Sequence, residues 1–373
     1  MSSLAVNLGD VTKIKTGKLD ANASSEDGEY PFFTCAQKPL RISSYSYDCE
    51  CVLIAGNGDL NVKYYEGKFD AYQRTYIVEV LPEKRNRLHL RYAYHFLETY
   101  LDTLREQSIG GIIKYIKMGN LTDAQIPLPP LAEQKRIAAI LDAADALRTK
   151  RREALAQLDA LLQSSFLTLF GDPVTNPMGW AQAELGDLVA DDDRINYGVV
   201  QPGDEHPGGR PLIRVGDFVG GELDLSGIKF IDPKIDAQYE RSRLLGTELL
   251  VSCVGSIGTV CRVPLTAKGH NIARAVARVP LGPKVEREFM LFCLRSAGVQ
   301  NYFTNETRTV SQPTLNIGLI KTATVTVPPL PLQQKFAAIV ESIERQKTTQ
   351  RAHLAELDAL FAALQHRAFR GEL

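Results

Sequence analysis

The sequence predicts a chain of mixed α+β class, in which two α/β domains are joined by two long antiparallel helices packed as a coiled coil with internal pseudo-twofold symmetry. Three observations predict it. A segment near the middle of the chain recurs at its end, and both copies carry apolar residues at helical spacing. Ahead of each copy lies a stretch rich in β-branched and aromatic residues and punctuated by glycine.

The repeat comes first. Pro129-Pro130-Leu131 with Gln134 and Ala138-Ala139-Ile140 returns as Pro328-Pro329-Leu330 with Gln333 and Ala337-Ala338-Ile339, an offset of 328 − 129 = 199. Without a gap, Leu155-Ala156 and Leu158-Asp159-Ala160-Leu161 map onto Leu354-Ala355 and Leu357-Asp358-Ala359-Leu360. Over 129–161, 15 of 33 positions are identical, where background composition gives roughly two. Spacings of three and four along Ile137, Ile140, Leu141, Leu147, Leu155, Leu158, Leu161, Phe166, and along Phe336, Ile339, Val340, Ile343, Leu354, Leu357, Phe361, mark one-sided helices. Prolines open each helix, and Gly171 and Gly371 follow the ends as left-handed caps. Each helix is expected to run about 38 residues, nearly 60 Å at 1.5 Å per residue. A stripe of that length needs a partner, and the other copy matches it in length and phase. The residues expected to pair the helices or dock a partner are Leu131, Ile137, Ile140, Leu155, Leu158, Leu330, Phe336, Ile339, Leu354 and Leu357.

The chain then divides into an α/β domain over 1–126, a helix over 127–171, a second α/β domain over 172–326 and a second helix over 327–373. Strands are expected at Cys51–Ala55, Thr75–Val80, Leu249–Cys253 and Ala275–Val279, and helices near His89–Leu104 and Arg287–Asn301. The domains share an opening, Leu8-Gly9-Asp10-Val11 against Leu185-Gly186-Asp187-Leu188, and otherwise diverge far more than the helices.

Composition bounds the function. A 44% hydrophobic, 23% charged chain with formal net charge −1 is ordinary for a soluble globular protein. It does not coat nucleic acid indiscriminately, although phosphate binding needs only local charge. With neither a secretory signal nor a bilayer-length apolar run expected, the location is expected to be cytoplasmic. The cysteines Cys35, Cys49, Cys51, Cys253, Cys261 and Cys293 lack zinc-ligand spacing and are expected to be free thiols. Gly56-Asn57-Gly58 reads as a tight turn rather than a dinucleotide loop, Asn176-Pro177-Met178 as a linker turn, and Asp191-Asp192-Asp193 as a solvated loop. There is no P-loop and no Asn/Asp-Pro-Pro-aromatic motif, so no catalytic or metal site is expected.

The segments Ile126–Leu141 and Pro331–Val340, with the ending Gln365–Leu373, resemble the conserved regions of the specificity subunit (HsdS) of type I restriction-modification systems. The resemblance covers the whole chain in organisation, and in detail residues 126–171 and 327–373. It implies two target-recognition domains, each reading half of a bipartite site in double-stranded DNA, with the helices setting the spacer. It also implies docking of two N6-adenine methyltransferase (HsdM-like) subunits, and of restriction-translocation (HsdR-like) subunits. S-adenosylmethionine would belong to the former and ATP with magnesium to the latter, this chain binding no cofactor. Two other readings share the helices: the specificity subunit of a related type II methyltransferase-nuclease, and a coiled-coil scaffold without DNA binding.

Candidate DNA contacts follow from residue chemistry, since phosphates take lysine and arginine while base edges take arginine, glutamine and asparagine. In the first domain these are Lys63 and Arg74 beside Tyr64, Tyr65 and Tyr72, and Lys114, Tyr115 and Lys117 after Gly110-Gly111. In the second they are Arg214, Arg243, Arg274, Arg308, Ser311 and Gln312. The loops 108–117 and 307–316 are expected to be equivalent. The basic mid-helix residues Arg148, Lys150, Arg151, Arg152, Lys347 and Arg351 read as solvated helix.

Overall fold

The computed structural model describes residues 5–307 and 314–373. Two compact units emerge, Met1–Ala154 with Gln350–Leu373 and Leu155–Thr349, so each unit holds one α/β head and half of each long helix. The lines drawn at 126 and 326 cut through the strands Gln125–Pro127 and Thr324–Val327 and that at 171 falls just past the first long helix, whereas the units part inside the helices.

In head 1 the elements are β1 (Ala5–Asn7), β2 (Thr12–Thr16), β3 (Tyr30–Phe33), β4 (Leu40–Ile42), β5 (Tyr47–Ala55), β6 (Val62–Ala71), β7 (Thr75–Val80), α1 (Leu90–Gln107), α2 (Met118–Thr122) and β8 (Gln125–Pro127). Six strands form one sheet in the order β2-β7-β5-β6-β3-β4. Side chains alternate across it, so Val52, Ile54 and Val78 pack beneath α1 while Cys51, Leu53 and Ile77 meet Phe33, Phe69 and Tyr47 on the other face. A small ladder of β1 with β8 closes the base. There follows the long helix α3 (Leu131–Phe170).

Head 2 contains β9 (Ala181–Glu184), β10 (Asn196–Tyr197), β11 (Arg210–Ile213), β12 (Phe218–Val219), β13 (Glu222–Leu223), β14 (Lys229–Ile231), α4 (Pro233–Asp236), β15 (Leu249–Ser252), β16 (Val260–Arg262), β17 (Asn271–Ile272), β18 (Val276–Val279), α5 (Arg287–Leu294), α6 (Ala297–Thr307), α7 (Ile317–Lys321) and β19 (Thr324–Val327), and the long helix α8 (Leu330–Arg370) closes the chain. Its order β10-β18-β15-β16 repeats β2-β7-β5-β6. As β3 lies parallel to the end of β6 and antiparallel to β4, β11 lies parallel to β17 and antiparallel to β14. The ladder of β9 with β19 matches that of β1 with β8. The two heads share one topology, which their sequences conceal. The helix expected over 287–301 is broken at Arg295-Ser296 into α5 and α6.

Both long helices end on a glycine in the left-handed region, Gly171 (φ 74°) and Gly371 (φ 75°), which a side chain would strain. Within each unit the halves of α3 and α8 run antiparallel, joined by ion pairs at equivalent positions. Arg148 bonds Asp358 at 2.6 Å in one unit, and Lys347 bonds Asp159 at 2.7 Å in the other. Arg152 adds a contact to Asp358 at 2.9 Å, and the equivalent residues Arg151 and Gln350 bond each other. Arg148, Arg151, Arg152 and Lys347 therefore do not read as solvated helix, since they are engaged across the helix pair.

The apolar stripe departs from a continuous coiled-coil seam. Ile137, Leu141 and Phe361 enter the core of head 1, and Leu162, Phe166, Phe170, Phe336 and Val340 that of head 2. Leu131, Ile140, Leu155, Leu158, Leu330, Ile339, Leu354 and Leu357 are half-buried, while Leu147 and Leu161 are about half exposed. Phe166, Phe170, Phe289, Phe292 and Phe336 form an aromatic cluster, with Phe170 and Phe289 at 4.7 Å. Burying each such ring contributes roughly 2–3 kcal/mol, so the helix ends are fixed by their heads and the middles by ion pairs.

Cys51, Cys253, Cys261 and Cys293 are buried free thiols. Burial pushes Cys253 and Cys261 up to about 12 and Cys293 to about 11, which suits inert apolar packing. No helix among the described residues is long and apolar enough to cross a membrane.

Candidate nucleic-acid interface

Two glutamines at equivalent positions tie each head to its long helix. Gln134 is fully buried at the start of α3, where its Oε1 accepts the N–H of His89 at 2.9 Å. Its Nε2 donates to the carbonyls of Arg87 (2.7 Å) and Pro129 (2.8 Å). Gln333, fully buried at the start of α8, accepts the N–H of Glu286 at 2.8 Å and donates to Pro328 O at 2.7 Å. His89 and Glu286 are the residues at which α1 and α5 begin. One amide thus satisfies a helix start and the proline-rich entry together. The duplication displayed both glutamines; only the fold reveals the bonds they make.

A loop pinned to the sheet lies at the far end of strand β5 in head 1. Ile116 N–H donates to Gly56 O (2.9 Å), Gly58 N–H to Lys114 O (3.1 Å), and Ile109 and Tyr115 exchange backbone bonds at 3.0 and 2.9 Å. The hydroxyl of Tyr76 donates to Ile116 O at 3.0 Å, and burial raises that phenol's pKa, keeping the proton on the donor. Beside this loop a cleft of about 490 Å³ is lined by Gly17, Lys18, Gly56, Gln73, Arg74 and Ile116 among others. Its walls converge because a Cβ on Gly17 would strike Ala71 O and one on Gly56 would strike Arg74 O.

Head 2 is built the same way. Leu315 N–H donates to Cys253 O at 2.9 Å, and Tyr197 hydroxyl to Leu315 O at 3.2 Å. Leu315 stands 199 positions after Ile116, so the expected equivalence of the two loops holds where head 2 is described. Arg274 N–H donates to Val199 O as Gln73 N–H donates to Leu19 O, which puts Arg274 at the place of Gln73.

The candidate side chains then separate. Arg74, Lys114, Lys117 and Arg274 are exposed, and none forms an ion pair among the described residues. Lys18 and Gln73, which sequence reading missed, join Arg74 around the cleft. Their signal was absent because only folding brings the ends of β2, β5 and β7 together. Tyr115 serves the loop through its backbone, with its ring half-buried.

Three candidates have other work. Lys63 is half-buried, its ammonium bonded to Asn61, and burial lowers its pKa. Arg243 bonds the buried Asp236 at 2.6 Å and Glu240 at 3.1 Å. Arg214 bonds Asp217 at 3.1 Å and Gly227 O at 3.1 Å. These hold loops together, a role that residue type alone does not distinguish from phosphate binding. Arg308, Ser311 and Gln312 lie outside the described residues.

The acidic run 191–193 also resolves differently from the solvated loop expected. Asp191 and Asp192 are exposed, but Asp193 pairs at 2.6 Å with Arg278, a buried guanidinium that also bonds buried Glu248 at 2.8 Å. This is a structural triad. Among the described residues, no cluster of acidic, histidine or cysteine side chains fits a metal ion.

Residues 5–157 match the family model for the type I restriction modification DNA specificity domain. The chain is 32% identical to the EcoBI type I restriction enzyme specificity subunit of Escherichia coli over 332 residues, covering 81% of this chain and 69% of that protein. It is 42% identical over 158 residues to the Escherichia coli EcoDI specificity subunit, covering 42% of this chain and 34% of that one. In fold it is similar to the type I restriction-modification S subunit of M. genitalium, with TM-score 0.64 and 16% identity over 98% of this chain and 95% of that one. The chain belongs to the family of type I restriction enzyme specificity subunits.

Proposed function

We propose that this chain is the non-catalytic, cytoplasmic DNA-recognition subunit of a type I restriction-modification complex. Each head reads one half of a bipartite site, the paired helices set the spacer, and methyltransferase subunits dock on the duplicated regions, with restriction-translocation subunits joining the assembly. S-adenosylmethionine, ATP and magnesium serve the partners, and this chain binds none of them. One observation carries the reading: two heads of one topology pin an equivalent residue to the sheet, Ile116 in one and Leu315 in the other, yet show different exposed side chains beside it, Lys18, Gln73 and Arg74 in one and Arg274 in the other. A common frame with unlike tips is what two half-sites require, since phosphate contacts position a protein while base contacts specify.

The test is methylation mapping in a host carrying this chain with its methyltransferase. Replacing loop 108–117 is expected to change one half of the methylated sequence and leave the other. Removing a heptad from each long helix keeps the stripe in phase, and is expected to shorten the spacer by about 3 base pairs, since 7 residues span roughly 10 Å. If both halves change together on loop replacement, the assignment of one head to one half-site is wrong.

A further inference from the structure

The 108–117 loop carries apolar side chains that phosphate and base-edge contacts leave unused. Ile112 is 105% exposed, Ile113 63% and Ile109 42%, although isoleucine is among the residue types most often buried. They are not on a slack segment, because the loop is closed at its root by the Ile109–Tyr115 bonds and held to the sheet by Gly56 and Gly58. Gly110, at φ 122°, makes a bend open only to glycine, and the two isoleucines project just beyond it. Lys114 and Lys117 are exposed on the same loop, and Lys18 and Arg74 stand beside the adjoining cleft. An apolar tip ringed by cations matches a surface that offers anions outside and apolar area within. Duplex DNA is such a surface, with phosphates flanking thymine methyls and base faces.

We infer that Ile112 and Ile113 form an apolar finger by which head 1 enters a DNA groove and packs on the apolar surface of bases in its half-site, either a thymine methyl or the face of an opened base step. Lys114 and Lys117 then hold the neighbouring phosphates. This rests on the recognition role proposed above and adds the residues that discriminate.

The experiment uses the chain assembled with its methyltransferase subunits, once the wild-type complex has been shown to select a bipartite sequence. Absence of such selection would overturn the recognition role itself and is seen before any variant is made. The double variant Ile112→Ser/Ile113→Ser is expected to lose at least tenfold in affinity for the cognate site, with binding to unrelated DNA and the slope of log affinity against log salt unchanged. Ile112→Val/Ile113→Val, which keeps the apolar surface, is expected to retain most of the affinity. Lys114→Gln/Lys117→Gln is expected instead to weaken cognate and unrelated DNA alike and to reduce the salt slope by about two. Deoxyuridine in place of thymine in the half-site reproduces the serine loss if a methyl is the contact. 2-Aminopurine brightens with wild type and not with the serine variant if a step is opened. Unchanged cognate affinity of the serine variant overturns the inference. So does a loss accompanied by neither DNA signal, or a loss traced to failed assembly with the methyltransferase, which would make the finger a protein contact.

Discussion

Replacing Gln134 by leucine tests how a head is fixed to its helix. Leucine fills a similar volume without polar atoms, so it removes three hydrogen bonds while leaving the packing nearly intact. The N–H of His89 loses its 2.9 Å acceptor and the Pro129 and Arg87 carbonyls lose their shared donor. An orphaned buried group costs about 1–3 kcal/mol. Arg87 is exposed and its carbonyl can be hydrated, which leaves the His89 N–H and the Pro129 carbonyl as the principal losses. The sum is about 3 kcal/mol. For a unit of this size that lowers the melting temperature by roughly 6–12 °C. Urea denaturation followed by circular dichroism measures the stability, and hydrogen exchange in α1 locates the weakening. The equivalent Gln333→Leu strands one donor and one acceptor and is expected to cost about 2–3 kcal/mol, with exchange rising at α5. A Gln134→Leu protein within 0.5 kcal/mol of wild type would refute the view that these amides secure the heads.

The Arg278 triad makes head 2 sensitive to acid. Burial by itself would raise the pKa of Glu248, but bonds from the Leu245 backbone and from Arg278 outweigh it and hold the carboxyl below its ordinary value; Asp193 is likewise lowered, bonds from Arg278 and from the Arg194 backbone together outweighing its burial. A depressed carboxyl contributes stability that is complete above its unfolded pKa of about 4 and is lost as pH falls through the folded value. Arg278→Met is therefore expected to raise the pH midpoint of acid unfolding and to cost about 3–5 kcal/mol at neutral pH, because buried Glu248 keeps its charge. The single tryptophan, Trp180, whose indole N–H donates to Phe170 O at 2.9 Å, reports this by fluorescence, and an unmoved acid midpoint would contradict the argument. Between the helices, Arg148 bonds Asp358 and stacks 4.2 Å from the Phe361 ring. A double-mutant cycle of Arg148→Ala with Asp358→Ala is expected to give a coupling near 1 kcal/mol, the upper end for a partly exposed pair; coupling below 0.3 kcal/mol would leave the pairing to apolar contacts alone.

What the sequence showed and what it hid divide along physical lines. Periodicity and caps are local, so Leu131–Phe170 and Leu330–Arg370 were legible to within a turn at each end, as were strands at Thr75–Val80 and near Leu249. Beyond the shared opening at Leu8 and Leu185, the likeness of the heads was hidden, because topology is a pattern of pairings, such as the bonds of those two leucines to Ala124 and Ala323, that residue letters do not display. Charge was the poorest guide. Arg243 and Arg74 are alike as letters, and only burial of Asp236 beside the first distinguishes a structural arginine from an exposed one.

The duplication itself separates frame from reader. The offset of 199 is kept at Ile116 and Leu315, Gln134 and Gln333, Arg148 and Lys347, and Asp159 and Asp358, all of which bond to backbone or to the other helix. Upstream the register slips: Leu185 to Glu286 is a longer stretch than Leu8 to His89, and it carries the additional β12–β13 hairpin. Constancy therefore follows geometry that must be met twice, at the glutamine tie and at the inter-helix ion pair, where a changed residue would leave a buried amide or charge without its partner. Change gathers at exposed loop tips and sheet edges, where Ile112 and Arg274 can be exchanged without disturbing a buried bond. A protein that must keep its partners while altering what it reads would be expected to place its variation there, and the two halves of this chain are already two such outcomes.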